Sequence, residues 1–456
     1  MNFLSCLFRW QKVSFHYCSN SYQILEKQST SESADRSQKS FADFCKECVP
    51  PFCSLSPVLF NGHLQTAWTQ FDIEDIPVYY KRKLFDSDDS SYSGQFSVDF
   101  VVRPCVDNRV VSQTKPDAEL PARTTFFEPQ EEIDFISTED SRPILLVPHG
   151  MSGGSHETYI QHALAPLVTH EGGWEACVIN SRGCAGSKLT TGLLYKARST
   201  WDFRQVVSWF KEQFPNRPLF GMGFSIGAVM LTNSDMTMRQ YLAEEGSNCP
   251  LRAAVMVSNP WKLDFASHAL QRSWIGSEIY SKILGHNMKN IIKRNKDIIT
   301  QTLRIDPEAV ERINYVQNFD RSEIQCPTWG YPTEDAYYRD ASCVDTMLAI
   351  RIPFLAIQAL DDPIATKDAI PFAEFNKTPF GVLCVTPGGG HLGWFEAGTT
   401  NFLNKLAKEV DLDESIKLNK NLDIEPLVKG EASKERLQLF NPQRLQPGNL
   451  KLRAKL

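Results

Sequence analysis

One serine in this chain lies in a setting that suits a nucleophile. Ser225 is the centre of Gly223-Phe224-Ser225-Ile226-Gly227, between an apolar run that predicts a strand and another that predicts a helix. A sharp strand-to-helix turn projects a serine hydroxyl above a sheet, and flanking glycines let the two elements approach closely. The pattern is weak alone, because glycine and serine are common in turns. A catalytic role for Ser225 therefore depends on partners elsewhere.

A serine nucleophile needs a general base, and the base needs a carboxylate to orient it. His391 follows three glycines just past the last predicted strand, and Asp361 and Asp362 follow the strand before it. Carboxyl ends of parallel strands meet at one edge of a sheet, so these loops can come together there. The sequence predicts a catalytic triad of Ser225, Asp362 and His391, with Asp361 as the alternative acid.

The negative oxygen of an acyl-transfer intermediate needs two N–H donors. Ile226, directly after the serine, supplies one. The loop His149–Gly154, which follows the apolar run Ile144–Val147, supplies the other, with Met151 as the best candidate. We therefore predict an oxyanion hole formed by the N–H groups of Met151 and Ile226.

Short continuous apolar runs alternate with helical patterns through the middle of the chain, which predicts a mostly parallel sheet covered by helices on both faces. The predicted strands lie at 144–147, 176–179, 219–224, 253–257, 354–357 and 382–385. With the order Ser, Asp, His, this pattern is typical of the α/β-hydrolase fold.

The chain is predicted to contain one hydrolase domain at 51–410, with a helical cap insertion at 262–349 where no strand pattern occurs. Residues 1–50 are expected to form a poorly ordered N-terminal extension, and 411–456 a charged C-terminal tail. Residues 105–140 are rich in proline and acidic side chains and are interpreted as a long surface loop.

The composition limits the partners and the compartment. The net charge is −6 and the basic residues are dispersed, which argues against a nucleic-acid binder. Scattered cysteines suit reduced thiols inside a cell. Cys45 and Cys48 have zinc-like spacing without a second pair, so neither a metal nor a cofactor is predicted. No run is long enough to span a membrane.

The short apolar N-terminus leaves several interpretations open: a mitochondrial-type presequence, a surface-lying anchor or a plain extension. The expected location is intracellular, either in the cytoplasm or peripheral on a lipid droplet or organelle membrane.

Several longer motifs resemble one group of proteins. They are His149-Gly150-Met151-Ser152-Gly153-Gly154-Ser155-His156-Glu157, Asn180-Ser181-Arg182-Gly183-Cys184, Ser258-Asn259-Pro260-Trp261 and Gly389-Gly390-His391-Leu392-Gly393. They are similar to those of the yeast medium-chain fatty acid ethyl ester synthase/esterase family. In wider relatives, the intracellular α/β-hydrolase-domain lipases, Asn61-Gly62-His63-Leu64-Gln65-Thr66 also has a counterpart.

The resemblance implies esterase activity on medium-chain acyl esters. It also implies acyl-CoA:alcohol transfer in some members and monoacylglycerol lipase activity in others. It implies that Ser225 is the nucleophile, Asp362 the acid and His391 the base. The expected substrate is an acyl ester or acyl-CoA, with water or a small alcohol as acceptor. The alternative is a non-catalytic lipid-binding or scaffold protein on the same fold.

Overall fold

The computed structural model describes residues 9–27, 37–55, 58–71, 76–102, 120–136, 140–168, 173–197, 199–232, 242–303, 307–321, 329–394, 398–419 and 422. Within these ranges no helix combines the length and the apolar character needed to cross a membrane.

A ten-stranded sheet forms the centre of the protein, in the order β2-β14-β13-β12-β11-β9-β10-β7-β6-β8. The six strands from β14 to β10 are parallel, and antiparallel strands adjoin them on both sides. Two small antiparallel sheets, β1 with β5 and β3 with β4, lie outside it. The strands are β1 (Arg9–Lys12), β2 (Ser14–Tyr17), β3 (Gln23–Leu25), β4 (Gln38–Ser40), β5 (Phe52–Leu55), β6 (Tyr79–Asp86), β7 (Gln95–Val102), β8 (Thr124–Phe126), β9 (Ile144–Pro148), β10 (Glu175–Asn180), β11 (Leu219–Phe224), β12 (Leu251–Val257), β13 (Phe354–Ala359) and β14 (Gly381–Thr386).

The parallel strands coincide with the six apolar runs of the sequence. Every residue of β9, β11, β13 and β14 is buried, as expected for strands covered on both faces. Helices connect and cover them: α1 (Phe41–Cys48), α2 (Gly62–Phe71), α3 (Pro129–Ile136), α4 (Thr158–Val168), α5 (Trp201–Gln213), α6 (Ile226–Thr232), α7 (Leu242–Glu245), α8 (Leu263–Arg272), α9 (Lys282–Arg294), α10 (Lys296–Leu303), α11 (Pro307–Glu311), α12 (Val316–Arg321), α13 (Glu334–Ala341), α14 (Phe372–Phe375), α15 (Gly398–Glu409) and α16 (Leu412–Leu418). The predicted mostly parallel α/β architecture is therefore confirmed.

The chain between β12 and β13 is helical, and its described residues include no strand. This segment contains α8 to α13 and a π-helical turn at Gly276–Ser281 that runs directly into α9. A π-helical turn within an α-helix is uncommon and often occurs near functional sites. We refer to these helices as the cap.

A buried carboxylic acid joins two cap helices. The hydroxyl of Tyr338 on α13 donates a hydrogen bond to Asp320 Oδ2 on α12, at 2.6 Å. Burial raises the pKa of Asp320 to about 7. An unfolded chain ionises this group near pH 4, so the contribution of Asp320 to the stability of the fold falls as pH rises from about 4 to 7.

Replacing Asp320 with asparagine should remove this pH dependence. The neutral amide oxygen can still accept the Tyr338 hydrogen bond, so Asp320→Asn should stabilise the fold by about 2–4 kcal/mol at pH 8 and by almost nothing near pH 4. Thermal unfolding of both proteins across this range measures the difference. The exposed Asp335→Asn, on α13, is the control, and an equal effect of the two variants at pH 8 would contradict the account.

The N-terminal region differs from the predicted extension. Ser14–Tyr17 pairs antiparallel with β14 and forms one edge of the central sheet. The helix Phe41–Cys48 buries five residues, among them Phe41, Phe44 and Cys45. The prediction of a poorly ordered segment is therefore wrong for residues 9–27 and 37–50. The preceding residues 1–8, which include the candidate targeting segment, lie outside the described residues.

The start of the predicted C-terminal tail also packs on the fold. Leu412–Leu418 is a helix, and Asn419 Nδ2 donates to the carbonyl of Gln23 at 2.6 Å, while Asn419 Oδ1 accepts from Gln23 N. The rest of the tail, from 423 onward, lies outside the described residues. Within 105–140, the interpretation as a loop is wrong for Thr124–Phe126, which pairs parallel with β6, and for the helix Pro129–Ile136.

Candidate active site

The turn between β11 and α6 holds Ser225 in a backbone conformation that side chains rarely adopt. Its φ is 52°, in the left-handed region. Its N–H donates to the carbonyl of Val257 at 2.9 Å, which fixes the turn to the neighbouring strand. A Cβ at Gly223 would lie 2.6 Å from the Cα of Ala228, and one at Gly227 would lie 2.3 Å from the carbonyl oxygen of Pro148. Both glycines are therefore required by close approach of the backbone.

The three residues predicted as a triad form one hydrogen-bonded chain. His391 Nε2 lies 2.9 Å from Ser225 Oγ, and His391 Nδ1 lies 2.9 Å from Asp362 Oδ2. All three side chains are largely buried. The geometry is that of a serine hydroxyl whose proton an imidazole can accept, with a carboxylate to hold the imidazole and stabilise its cation.

The two neighbouring aspartates have different hydrogen-bond partners. Asp362 Oδ1 accepts the backbone N–H groups of Ile364 and Ala365, both at 2.8 Å, so its carboxylate is held rigidly against His391. Asp361 Oδ1 instead accepts the N–H of Gly390, at 2.9 Å. Burial, and to a lesser degree the nearby Asp362, raise the pKa of Asp361. Asp362 is thus the residue in contact with the imidazole, and Asp361 fixes the loop that carries it.

The predicted oxyanion donors lie on either side of the serine. Ile226 is the first residue of α6, where a backbone N–H has no acceptor within the helix. The loop of Met151 passes beside Ser225, because a Cβ at Gly150 would lie 3.6 Å from the Cβ of Ser225. Within the described ranges, no hydrogen bond occupies the N–H of Met151 or that of Ile226. Both are available to a substrate oxygen.

His149 fixes the direction of one of these donors. Its Nε2 accepts the N–H of Ser181 at 2.9 Å, so the proton is on Nδ1, which donates to the carbonyl of Gly150 at 2.6 Å. In a trans peptide the C=O and the following N–H point in opposite directions. Binding the Gly150 carbonyl therefore orients the N–H of Met151. Burial lowers the pKa of His149 to about 4, so the ring is neutral at physiological pH.

A buried ion pair supports the other end of the same loop. Arg82 makes two hydrogen bonds to the carboxylate of Asp99, at 2.6 and 2.7 Å, and both side chains are fully buried. Asp99 Oδ2 also accepts the hydroxyl of Ser155 and the amide of Asn180. Removing one member would leave a buried charge without a partner. The network joins the central sheet to the loop that carries Met151.

Three consecutive backbone N–H groups hold the loop of His391. Gly390 donates to Asp361, His391 donates to Thr66 Oγ1 at 2.8 Å, and Leu392 donates to Ser258 Oγ at 3.3 Å. Leu392 has a φ of 65°, which is strained for a leucine. Sequence reasoning found Thr66 only as part of a motif shared with relatives and did not assign it a role. The sequence around Thr66 and Ser258 does not indicate that they accept hydrogen bonds from the loop of His391, because both residues are far from His391 in sequence.

Removing the hydroxyl of Thr66 should misplace the imidazole. Thr66→Val keeps the shape but leaves the N–H of His391 without its acceptor, so kcat should fall by about 10- to 100-fold with little change in KM. Thr69→Val is the matched control, since Thr69 lies one turn further along the same helix and, among the described residues, its hydroxyl donates to the carbonyl of Thr66. Steady-state kinetics on a soluble ester measures both. Equal losses in the two variants would show an effect on the helix as a whole.

Apolar side chains of the cap pack against the loops that carry Met151 and Asp362. The contacting residues on these loops are Met151 itself and Ile364, two residues after Asp362. The cap side of this cluster consists of Leu270, Ile275, Tyr280, Leu284 and Val316. Tyr280 also contacts His63 on α2, with 3.0 Å between its hydroxyl and Nδ1 and the two rings stacked. An apolar wall thus faces the site on the side of the cap.

The chain matches a known family across its catalytic region. A model of the alpha/beta hydrolase fold family matches residues 143–397, which include all three members of the Ser-His-Asp arrangement. The match covers more than half of the chain. The protein therefore belongs to the α/β-hydrolase fold family.

Three of the similar proteins have names that refer to lipid substrates. A monoacylglycerol lipase of Saccharomyces cerevisiae is 34% identical, over 75% of this chain and 76% of the relative. The medium-chain fatty acid ethyl ester synthase/esterase 2 of the same yeast is 27% identical, over 82% of this chain and 90% of the relative. The mouse phospholipase ABHD3 is 31% identical, over 56% of this chain and 59% of the relative. The resemblance to the ester synthase/esterase family is confirmed.

Proposed function

We propose that this protein is a serine hydrolase that cleaves medium-chain acyl esters, such as monoacylglycerols and fatty acid ethyl esters, through an acyl-enzyme on Ser225. The observation that carries the proposal is the continuous chain of hydrogen bonds from Ser225 through His391 to Asp362. The two available N–H groups and the apolar cap cluster complete a site for an ester with a hydrocarbon chain. The names of the two yeast relatives support the same substrate class.

In this mechanism His391 Nε2 accepts the proton of Ser225 Oγ as the oxygen attacks the ester carbonyl. Asp362 accepts Nδ1–H and stabilises the imidazolium. The N–H groups of Met151 and Ile226 bind the oxyanion of the tetrahedral intermediate. His391 then protonates the leaving alcohol, and the acyl group remains on Ser225.

A second reaction resolves the acyl-enzyme. With water, His391 removes a proton from the attacking molecule, and the products are the free acid and Ser225. With a small alcohol, the same steps yield a new ester. Acyl-CoA could supply the acyl group in that case, with the thiol as leaving group. This transferase activity is the second candidate function, and the relative named as an ethyl ester synthase/esterase favours it.

Product analysis separates the two outcomes. Purified protein is incubated with monooctanoylglycerol, and separately with octanoyl-CoA and ethanol, and the products are resolved by chromatography. Hydrolysis predicts octanoic acid from the glyceride. Ethyl octanoate from the second mixture would establish transfer, and free acid without ethyl ester would restrict the enzyme to hydrolysis under those conditions. No product from either mixture would contradict the proposed function.

A further inference from the structure

An exposed apolar face borders the active site. On the cap, Trp274 is 72% exposed, and Ile279 and Ile283 are each 40% exposed. On and just before α2, Phe60, Leu64 and Trp68 are also exposed. We call these six residues the apolar rim. Large exposed apolar patches on soluble domains generally mark a surface that contacts a partner or a membrane.

The cap half of the rim is one side of a continuous helix. The helix passes through the π-helical turn Gly276–Ser281 into α9, so Ile279 and Ile283 are one turn apart, and Trp274 precedes Ile279 by one wider turn. The opposite side of the helix is buried in the protein through Tyr280, Met288, Ile291 and Ile292. Trp274, Ile279 and Ile283 are therefore not among the buried residues that pack this helix onto the fold.

The other half of the rim lies beside it and close to the catalytic loops. Leu64 and Trp68 are one turn apart on α2, and the stacked contact between His63 and Tyr280 joins this helix to the cap. A Cβ at Gly62 would lie 1.9 Å from the carbonyl oxygen of Asp361. The start of α2 thus touches the loop that holds His391. The rim is a border of the site and not a separate patch.

Positive charge accompanies the cap half of the rim. The stretch from 262 to 296 contains seven lysines and arginines and two acidic residues, in a chain whose net charge is −6. Arg272 and Lys282 are exposed next to Trp274 and Ile283, and Lys282 pairs with Glu278 at 2.6 Å. Glu311 pairs with Lys289 and Lys293, which still leaves more basic than acidic side chains in this stretch. Exposed tryptophan and isoleucine flanked by cations are the pattern of a helix that lies on an anionic membrane surface.

We propose that the apolar rim docks on a lipid surface that carries anionic headgroups, and that docking places the active site at the lipid–water interface. The proposal depends on the proposed function in one respect: insoluble esters would enter the site from that surface. Trp274, Ile279 and Ile283 enter the interfacial region, and the neighbouring cations face the headgroups. The substrate reaches Ser225 without crossing water.

Vesicle sedimentation tests the docking directly. The full chain is mixed with phosphatidylcholine vesicles, with and without phosphatidylserine, at low and high salt. Phosphatidylserine should increase the bound fraction strongly, and high salt should reverse the increase. The variant Trp274→Ser/Ile279→Ser/Ile283→Ser should lower the partition coefficient by about 10-fold or more. It should leave hydrolysis of the soluble ester p-nitrophenyl butyrate unchanged.

The matched control removes two exposed apolar side chains of β6 and β8. Leu84→Ser/Phe126→Ser should bind vesicles as the unmodified protein does. Unchanged binding by the rim variant, equal losses in both variants, or no binding at all would overturn the proposal. So would a dimer by light scattering that the rim variant converts to a monomer, since that result assigns the rim to a second copy. If the unmodified protein did not hydrolyse the soluble ester, that result would instead count against the proposed function.

Discussion

Replacing Ser225 with alanine should lower kcat for ester hydrolysis by at least about 10⁴-fold, because in the proposed mechanism the acyl-enzyme forms on this residue. The methyl group fits where the serine Cβ already lies, so thermal unfolding should not change. Initial rates on p-nitrophenyl butyrate, with stopped assays over hours for the variant, measure the loss.

The exposed Ser91→Ala is the control for the substitution itself, and it should retain full activity. A Ser225→Ala protein that keeps more than a few per cent of the activity would mean that another residue is the nucleophile. Loss of activity together with a lower melting temperature would indicate a folding defect, and Ser225→Cys would then provide a second test through altered reactivity with thiol reagents.

The second large effect is expected at Asp362. An asparagine there presents an amide N–H to His391 Nδ1, which forces the proton onto Nε2 and leaves nothing to accept the proton of Ser225. Asp362→Asn should therefore lower kcat by about 10⁴-fold near neutral pH with little change in KM. The pH dependence of kcat/KM, measured for the variant and the unmodified protein, shows whether the loss of activity depends on the protonation of His391.

Asp361→Asn is the matched control in the adjacent position. Its amide oxygen can still accept the N–H of Gly390, so its kcat should fall by less than about 10-fold. If Asp361→Asn proved the more damaging of the two variants, the acid would have been assigned to the wrong residue.

The contacts that complete the site were harder to predict than the triad. Ser225, Asp362 and His391 each follow a buried apolar strand, and strands of this kind can be found from composition alone. Thr66 reaches His391 across 325 residues of sequence. A single threonine on a short helix gives no sign of such a partner. The tautomer of His149 likewise depends on the N–H of Ser181, which only the folded chain brings near.

The N-terminal edge strand was missed for a different physical reason. Ser14–Tyr17 is four residues long, and none of them is fully buried, so it lacks the apolar run of a central strand. Its place is set by pairing with β14. Gln38–Ser40, also within the segment predicted to be poorly ordered, pairs with Gln23–Leu25. Edge strands depend on their neighbours more than on their own composition.

Covalent labelling tests the central claim most directly. A fluorophosphonate reacts preferentially with a serine activated as a nucleophile, and peptide mapping by mass spectrometry locates the adduct. We expect one adduct on the peptide that contains Ser225, none in Ser225→Ala, and much slower labelling in His391→Gln. An adduct on another residue, or labelling that persists in Ser225→Ala, would contradict the assignment, and an unlabelled native protein would favour a non-catalytic scaffold.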